Sequence, residues 1–222
     1  MSKNSIEVDA PRIIHRDEHF LGVYKPAGVP SQKDPSRAPT IGELVGAELI
    51  DPPHRLDRPV SGVMLLARTM EAMKRSTALF RECRVTKVYL AVVEGHFTEC
   101  SVLRHNLQHD PRSRKARVVQ GGDQERQSVL NVNPVRQGDR YTLVEVRPEG
   151  GRFHQIRAQL AAAGHPVHGD VKYGARRPAR MPGIALHALE LTLPHPFAER
   201  PMVLRCEPPA HGIWKVMGAS GQ

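Results

Sequence analysis

Residues 54–68 read HRLDRPVSGVMLLAR. One carboxylate, Asp57, stands between Arg55 and Arg58, and the β-favouring run Val63–Ala67 follows almost at once. A short, continuous apolar run reads as a buried strand, here over about 62–68. Two accounts of the charged loop before it compete. A surface ion pair contributes only about 0–1 kcal/mol and asks nothing of the rest of the chain. A catalytic carboxylate at the mouth of a buried strand needs partners from elsewhere.

Working outward, FLGVYKPAGVP (20–30) reads as a short strand ended by Pro26 and an Ala-Gly turn. TIGELVGAELI (40–50) has helical spacing with Thr40 as its N-cap. TMEAMKRSTALFREC (69–83) predicts a helix capped by Thr69, with Met70, Met73, Thr77 and Phe80 as one stripe. TKVYLAVVEGH (86–96) is a β-branched strand ended by Gly95, and 101–127 is polar, with turn signals at HDPRS and QGGDQ. YTLVEVRP (141–148) and IALHALELTLPHP (184–196) alternate as half-buried strands, and MVLRCEPP (202–209) is a last short one. GRFHQIRAQLAAAGHP (151–166) predicts a helix of about ten residues stopped at Gly164. Strands without clean βαβ repeats predict an α+β fold, a mixed and mainly antiparallel sheet with flanking helices. One domain is expected over 12–209, between a loose leader at 1–11 and a C-terminal tail at 210–222.

The chain's 222 residues are 40% hydrophobic and 25% charged, ordinary values for a globular protein. No apolar run is long enough for a membrane span, and the N-terminus lacks the apolar core of a signal peptide. Three scattered cysteines, Cys83, Cys100 and Cys206, form no CxxC pair and suit a reducing cytoplasm, the expected location. Thirty-two Lys+Arg against 23 Asp+Glu leave a net charge of +9, which favours a polyanionic partner such as nucleic acid. Residues 101–140 carry twice as many basic residues as acidic ones, among them Arg112, Arg114 and Lys115 against acids that include Asp123 and Glu125. A second cluster comprises Lys172, Arg176, Arg177 and Arg180. Each cluster is either a solvated face or a binding surface.

No phosphate-binding GxxxxGK[ST] loop, GxGxxG turn, HExxH helix or GxSxG elbow is present. GHPVHGD (164–170) offers His165, His168 and Asp170 to a metal in principle, but its glycines and proline favour a loop with structural hydrogen bonds. Neither metal nor cofactor is expected.

The residues that remain resemble those of the RluA-type pseudouridine synthases, which isomerise uridine in ribosomal or transfer RNA. HRLDRPVSGVMLLAR is similar to the family's HRLDxxTSGxxLxA, departing at Val60 where threonine is usual. KVYLAVVEG (87–95) resembles KxYxAxVxG. GRFHQIRAQLAAAGHPVHGDVKYG (151–174) resembles GRTHQIRVHLxxxGHPIxGDxxYG, with Phe153 for threonine and Gln159 for histidine. VYKPAGVP and ALHALELTLPHP resemble the opening and closing segments, so the likeness runs from about residue 12 to 209 in order. An S4-like RNA-binding module ahead of this domain is not expected.

The resemblance implies an isomerase that needs no cofactor and acts, as a monomer, on structured RNA. Breaking a C–N glycosidic bond and rejoining uracil through carbon is sugar-centre chemistry, for which a carboxylate is apt. Asp57 is implied as the nucleophile or acid/base group, at the sugar C1′ or the uracil ring. Arg157 is implied as its cationic partner, able to hold a carboxylate in a planar fork. Tyr89, otherwise a core tyrosine, is implied to stack on the uracil and assist proton transfer. Arg55 is implied to fill the space of an everted base. Arg58, Arg112, Arg114, Lys115, Arg176 and Arg177 read as phosphate contacts. Two rivals stand against this: an RNA-binding protein that merely keeps the scaffold, and a hydrolase with paired carboxylates. For the latter the sequence supplies no convincing partner near Asp57, since Glu43 and Glu48 lie on the expected helix with no motif around them.

Overall fold

Val63–Ala67 lies in the hydrophobic core. In the computed structural model, which describes residues 9–47, 52–121 and 127–219, strand β3 (Ser61–Ala67) is buried along its whole length. Strand β2 (Phe20–Lys25), equally buried, pairs antiparallel with it, and β1 (Arg12–Arg16) pairs with β2. Beyond β3 lies β9 (Leu186–Leu193), then β4 (Thr86–Glu94), β8 (Tyr141–Glu149), β7 (Ser128–Gln137), β5 (Ser101–Asp110) and β6 (Lys115–Val119). A tenth strand, β10 (Met202–Arg205), pairs with β9. Among the described residues one contact is parallel, β3 with β9, and the sheet is the mixed, mainly antiparallel one expected.

That parallel contact depends on a glycine. Gly62 lies opposite Ala188 with φ +126°, and an added Cβ would stand 2.3 Å from the Ala188 carbonyl oxygen. Only a residue without a side chain lets the two backbones approach this closely. Beside it, Ser61 Oγ and the buried His187 Nδ1 are 2.9 Å apart, and His187 Nε2 donates to the Cys206 carbonyl at 2.7 Å.

Helix α1 (Ile41–Leu44) is far shorter than the 40–50 segment expected, although Thr40 and Glu43 form a full capping box. The chain leaves the helix at Val45 and Gly46, and residues 48–50, with Glu48, lie outside the described residues. Helix α2 (Met70–Arg81) is capped by Thr69 as expected, but its buried face is Ala72, Ser76 and Leu79. Of the expected stripe, Met70 is exposed, Met73 packs against the core, and Thr77 and Phe80 line a cavity. Helix α3 (Gln155–Ala162) stops at Gly164, whose φ of +85° closes it with the His165 N–H donating to the Leu160 carbonyl at 3.0 Å.

Four strands, β1, β5, β6 and β7, were not legible. β1 and β5 are only partly buried, and β7 contains Pro134, at which its register with β8 shifts. The stretch read only as polar with turn signals carries a hairpin, β5 and β6 joined by a turn over 111–114 at the HDPRS signal. The second signal, QGGDQ, falls mostly on 122–126, outside the described residues with Asp123, Glu125 and Arg126. Residues 1–8 of the leader are also outside them, but Asp9 accepts a hydrogen bond from the Tyr24 hydroxyl at 2.8 Å. The segment read as a tail carries helix α4 (Gly212–Val216), whose Trp214 is fully buried against His187. No helix among the described residues is long and apolar enough to cross a membrane.

Candidate active site

The loop holding Asp57 is fixed by hydrogen bonds at nearly every residue. Leu65 N–H donates to His54 Nε2 at 2.9 Å, and Ser31 Oγ both donates to the Leu56 carbonyl and accepts from the Leu56 N–H. Val60 N–H reaches the Asp57 carbonyl, Gly28 N–H the Arg58 carbonyl and Ile184 N–H the Pro59 carbonyl, at 2.7–3.0 Å. Lys25, fully buried, donates from Nζ to the carbonyls of Pro26, Val29 and Arg58 at 2.9–3.3 Å. Burial pushes the Lys25 amine down to about 7, against the pull of Asp57. A carboxylate on so restrained a loop has one orientation to offer.

Arg157, on the first turn of α3, meets it. Its Nη1 donates to Asp57 Oδ2 at 2.9 Å across 100 residues of sequence. Its Nε and Nη2 close a fork on Asp170, at 2.6 and 2.8 Å. Arg157 and Asp170 are both buried, and the Tyr173 ring lies 4.9 Å from the guanidinium carbon. Burial works against the Arg157 charge, and the hydrogen bonds and charges of the two carboxylates overcome it, raising its pKa. One planar cation thus joins two carboxylates, a task for which a lysine lacks the geometry.

Asp170 was not singled out for this role, and the trio of which it was part does not converge. His165 Nδ1 bonds the Glu94 carbonyl, His168 packs edge-on to Tyr141, and Asp170 is taken by Arg157. The loop does the structural work expected of it. Glu43 is engaged with Thr40 in the cap of α1.

Asp57 lies where two hollows meet. One, of about 390 Å³, is walled by Leu56, Val60, Phe80, Tyr89, Ile156 and Leu186. Arg55, Arg81, Lys87, Arg152 and Arg157 also line it, and its size and mix of an apolar wall with charged groups are those of a small-molecule site. Burial, reinforced by the Asp57 charge, raises the Tyr89 phenol well above its usual range, so this ring enters any reaction protonated. His54 stacks on Phe80 at 4.5 Å, and burial drives its pKa down to about 3. Lys87, on the same wall, donates to the Gly150 carbonyl. The other hollow, of about 320 Å³, is cationic, with Lys33, Arg55, Arg58, Arg157 and Lys172 on its walls.

The remaining arginines divide. Arg55 is exposed, its guanidinium 5.6 Å from the Phe153 ring centre at the rim of both hollows. Arg58 donates to the Gly28 carbonyl and pairs with Asp34 at 3.3 Å while lining the cationic hollow. Arg112 and Arg114 stand exposed on the hairpin turn, and Lys115 follows them. Arg176 is nearly fully exposed and lies 3.9 Å from Glu94. On β4, Glu94 is five residues beyond Tyr89, about 16 Å along the strand. Arg176 and its neighbour Arg177 line neither hollow.

Two residues missed in the sequence complete the surroundings of Asp57. His154 holds a left-handed backbone, φ +52°, and its Nε2 is 3.4 Å from Asp57 Oδ2. Tyr173 contacts His154 through its hydroxyl, 2.8 Å from Nδ1. A non-glycine residue with positive φ is a strained choice whose only sign in the sequence was its place beside Gln155 and Arg157.

The sequence model of the RNA pseudouridylate synthase family matches residues 19–162. The chain is similar to "tRNA pseudouridine synthase C" of Vibrio cholerae, 30% identical over 219 residues, covering 87% of this chain and 89% of the relative. It is 31% identical over 204 residues to "Ribosomal large subunit pseudouridine synthase C" of Vibrio vulnificus, covering 86% of this chain and 63% of the relative. Among solved structures, "Human RNA Pseudouridylate Synthase Domain Containing 1" superimposes with a TM-score of 0.76 at 26% identity, over 95% of this chain and 87% of that one.

Proposed function

The chain belongs to the RNA pseudouridylate synthase family, of the RluA type, and from that premise we propose that it isomerises one uridine of a structured transfer or ribosomal RNA, with Asp57 as the catalytic group. The single observation that carries the site assignment is the Asp57–Arg157 contact of 2.9 Å, at the junction of a cavity with an apolar wall and a second hollow, both lined by cations. The cavity takes the uracil, and the hollow takes the sugar–phosphate backbone beside it.

In the reaction the N1–C1′ bond breaks, the uracil turns within the cavity, and a C5–C1′ bond forms. C5 loses a proton and N1 gains one, so the product is an isomer. Asp57 serves the electron-poor centre, at C1′ or at the ring. Arg157 holds the carboxylate in place. Tyr89 offers an aromatic face to the base and a phenolic proton to pass on. Reaching the site requires the nucleotide to leave its stack, at a cost of a few kcal/mol, and Arg55, exposed at the rim, fills the vacancy. Arg58 and Lys172 in the hollow, Arg112, Arg114 and Lys115 on the hairpin, and Arg176 and Arg177 beyond it contact phosphates and set the register of the RNA.

The test is Asp57→Asn against the unsubstituted protein, on total cellular RNA from cells lacking the gene. The substitution is expected to lower pseudouridine formation by at least about 100-fold. Retained activity in Asp57→Asn, or free uracil released in place of a retained base, would overturn the proposal.

A further inference from the structure

Asp57 has a second neighbour whose hydrogen placement the fold determines. The Ala116 N–H, at the second residue of β6, donates to Tyr173 Oη at 2.7 Å. The same oxygen is 2.8 Å from His154 Nδ1, and the far side of that ring, Nε2, is 3.4 Å from Asp57 Oδ2. Burial and the charges of Arg157 and Lys172 push the His154 pKa down to about 3, so the imidazole is neutral and has one N–H to place. With the hydrogen on Nδ1, a bare Nε2 lone pair would face a carboxylate oxygen. With the hydrogen on Nε2, the phenol donates to Nδ1, and the same approach becomes attractive. The strained backbone of His154 is what aims the ring, since it turns the residue between Phe153, stacked on it at 3.8 Å, and Tyr173.

We propose that His154 is a positioning residue that brings a second N–H to the Asp57 oxygen already held by Arg157, with Tyr173, itself held by the Ala116 N–H of the basic hairpin, fixing its tautomer. The inference rests on Asp57 as the catalytic group. In the free protein the Nε2 contact is long, and it shortens to a hydrogen bond once RNA fills the adjoining hollows, as catalytic contacts commonly do. The relay also ties the carboxylate to β6, which follows Arg112 and Arg114 directly. Only a properly seated hairpin completes the donor set on Asp57.

The experiment combines ring ¹⁵N NMR of the histidines with single-turnover kinetics on an RNA that the protein modifies. In the unsubstituted protein His154 should appear as the Nε2–H tautomer, and in Tyr173→Phe that preference should be lost. The rate constant of Tyr173→Phe should fall by about tenfold or more, with half-saturating RNA concentration within about twofold, as expected when a reacting group is misaligned and binding is untouched. His154→Gln, which keeps an N–H at similar reach, should retain more of the rate than His154→Leu. An Nδ1–H tautomer in the unsubstituted protein, or full single-turnover rate in Tyr173→Phe, would overturn the inference even if His154→Leu failed to fold. An inactive Asp57→Asn alongside an Nδ1–H tautomer sinks this inference alone, whereas an active Asp57→Asn sinks the reading beneath it.

Discussion

Replacing Arg157 by methionine removes three N–H donors at once, two from Asp170 and one from Asp57. The consequences for the two carboxylates differ. Asp57 retains some access to water, whereas Asp170 is 1% exposed and is left as an uncompensated buried charge. Breaking a buried ion pair from one side costs about 3–5 kcal/mol, and for a domain of this size that is about 10 °C in Tm. Most of the loss is the stranded charge, so Asp170→Asn in the Arg157→Met background should restore about 2 kcal/mol or more, although it removes a further native group. Urea unfolding reads both variants through the fluorescence of the single tryptophan, Trp214, which is fully buried. Activity should behave otherwise: the double variant, though restabilised, stays inactive because Asp57 still lacks its guanidinium. A single variant within about 1 kcal/mol of the parent, or a double variant no more stable than the single, would refute the account of Arg157 as a buried two-carboxylate bridge. An active double variant would refute its role at Asp57.

Gly62→Ala places a methyl 2.3 Å from the Ala188 carbonyl in a backbone conformation that alanine avoids, and should cost at least about 2 kcal/mol by urea unfolding; a change under about 0.5 kcal/mol would exclude this strand contact. Burial depresses the His187 pKa to about 4, so the unfolded chain binds more protons below the ordinary histidine range. Stability attributable to His187 is therefore full at pH 7 and falls as pH drops from about 6.5 to 4.5, by about 2–3 kcal/mol, and His187→Gln should flatten this acid limb in pH-dependent unfolding. RNA affinity should fall steeply with salt, and changing Arg112, Arg114 and Lys115 together to glutamine should make the slope of log K against log [salt] shallower by about 0.7–0.9 for each lost phosphate contact. Arg176→Gln with Arg177→Gln tests in the same way whether the RNA path extends to the far end of β4, and an unchanged slope in either variant removes that segment from the interface.

The strands that carry the site were legible because their burial forces composition. β3 and β2 have no exposed residue and read as short, mainly apolar runs, whereas β8 and β9, expected to be half-buried, bury Thr142–Val144 and Leu186–Leu189 on both faces because strands flank them on either side. The hairpin was not legible, because β5 and β6 present polar residues on a largely solvated surface and leave no period to detect. Asp57 and Arg157 were paired from motif resemblance alone; no local pattern carries information about a contact 100 residues long. Asp170 was weighed as a metal ligand because spacing within GHPVHGD is visible in sequence and the position of Arg157 is not. His154 and Tyr173 went unremarked for the same reason. Their significance lies in distances to Asp57 and Ala116, set by a turn of α3 and a strand of another hairpin.

The three departures from the family pattern acquire a common explanation in the fold. Val60 is buried in the wall of the larger cavity, where its packing with the apolar lining replaces a hydroxyl with no exposed role. Gln159, buried on α3, donates from Nε2 to the carbonyls of Leu103 at 3.0 Å and Ser128 at 2.9 Å, fastening the helix to β5 and β7. Phe153 stacks on His154, meets His109 of β5 edge-on at 4.7 Å and lies under the Arg55 guanidinium. Two of the three therefore join the segment of Arg157 and His154 to the hairpin, one through the core and one at the rim. An aromatic contact and a buried amide with two carbonyl acceptors are both sensitive to small displacements. Their joint effect is to tie the hairpin to α3, so the donors around Asp57 share the hairpin's position.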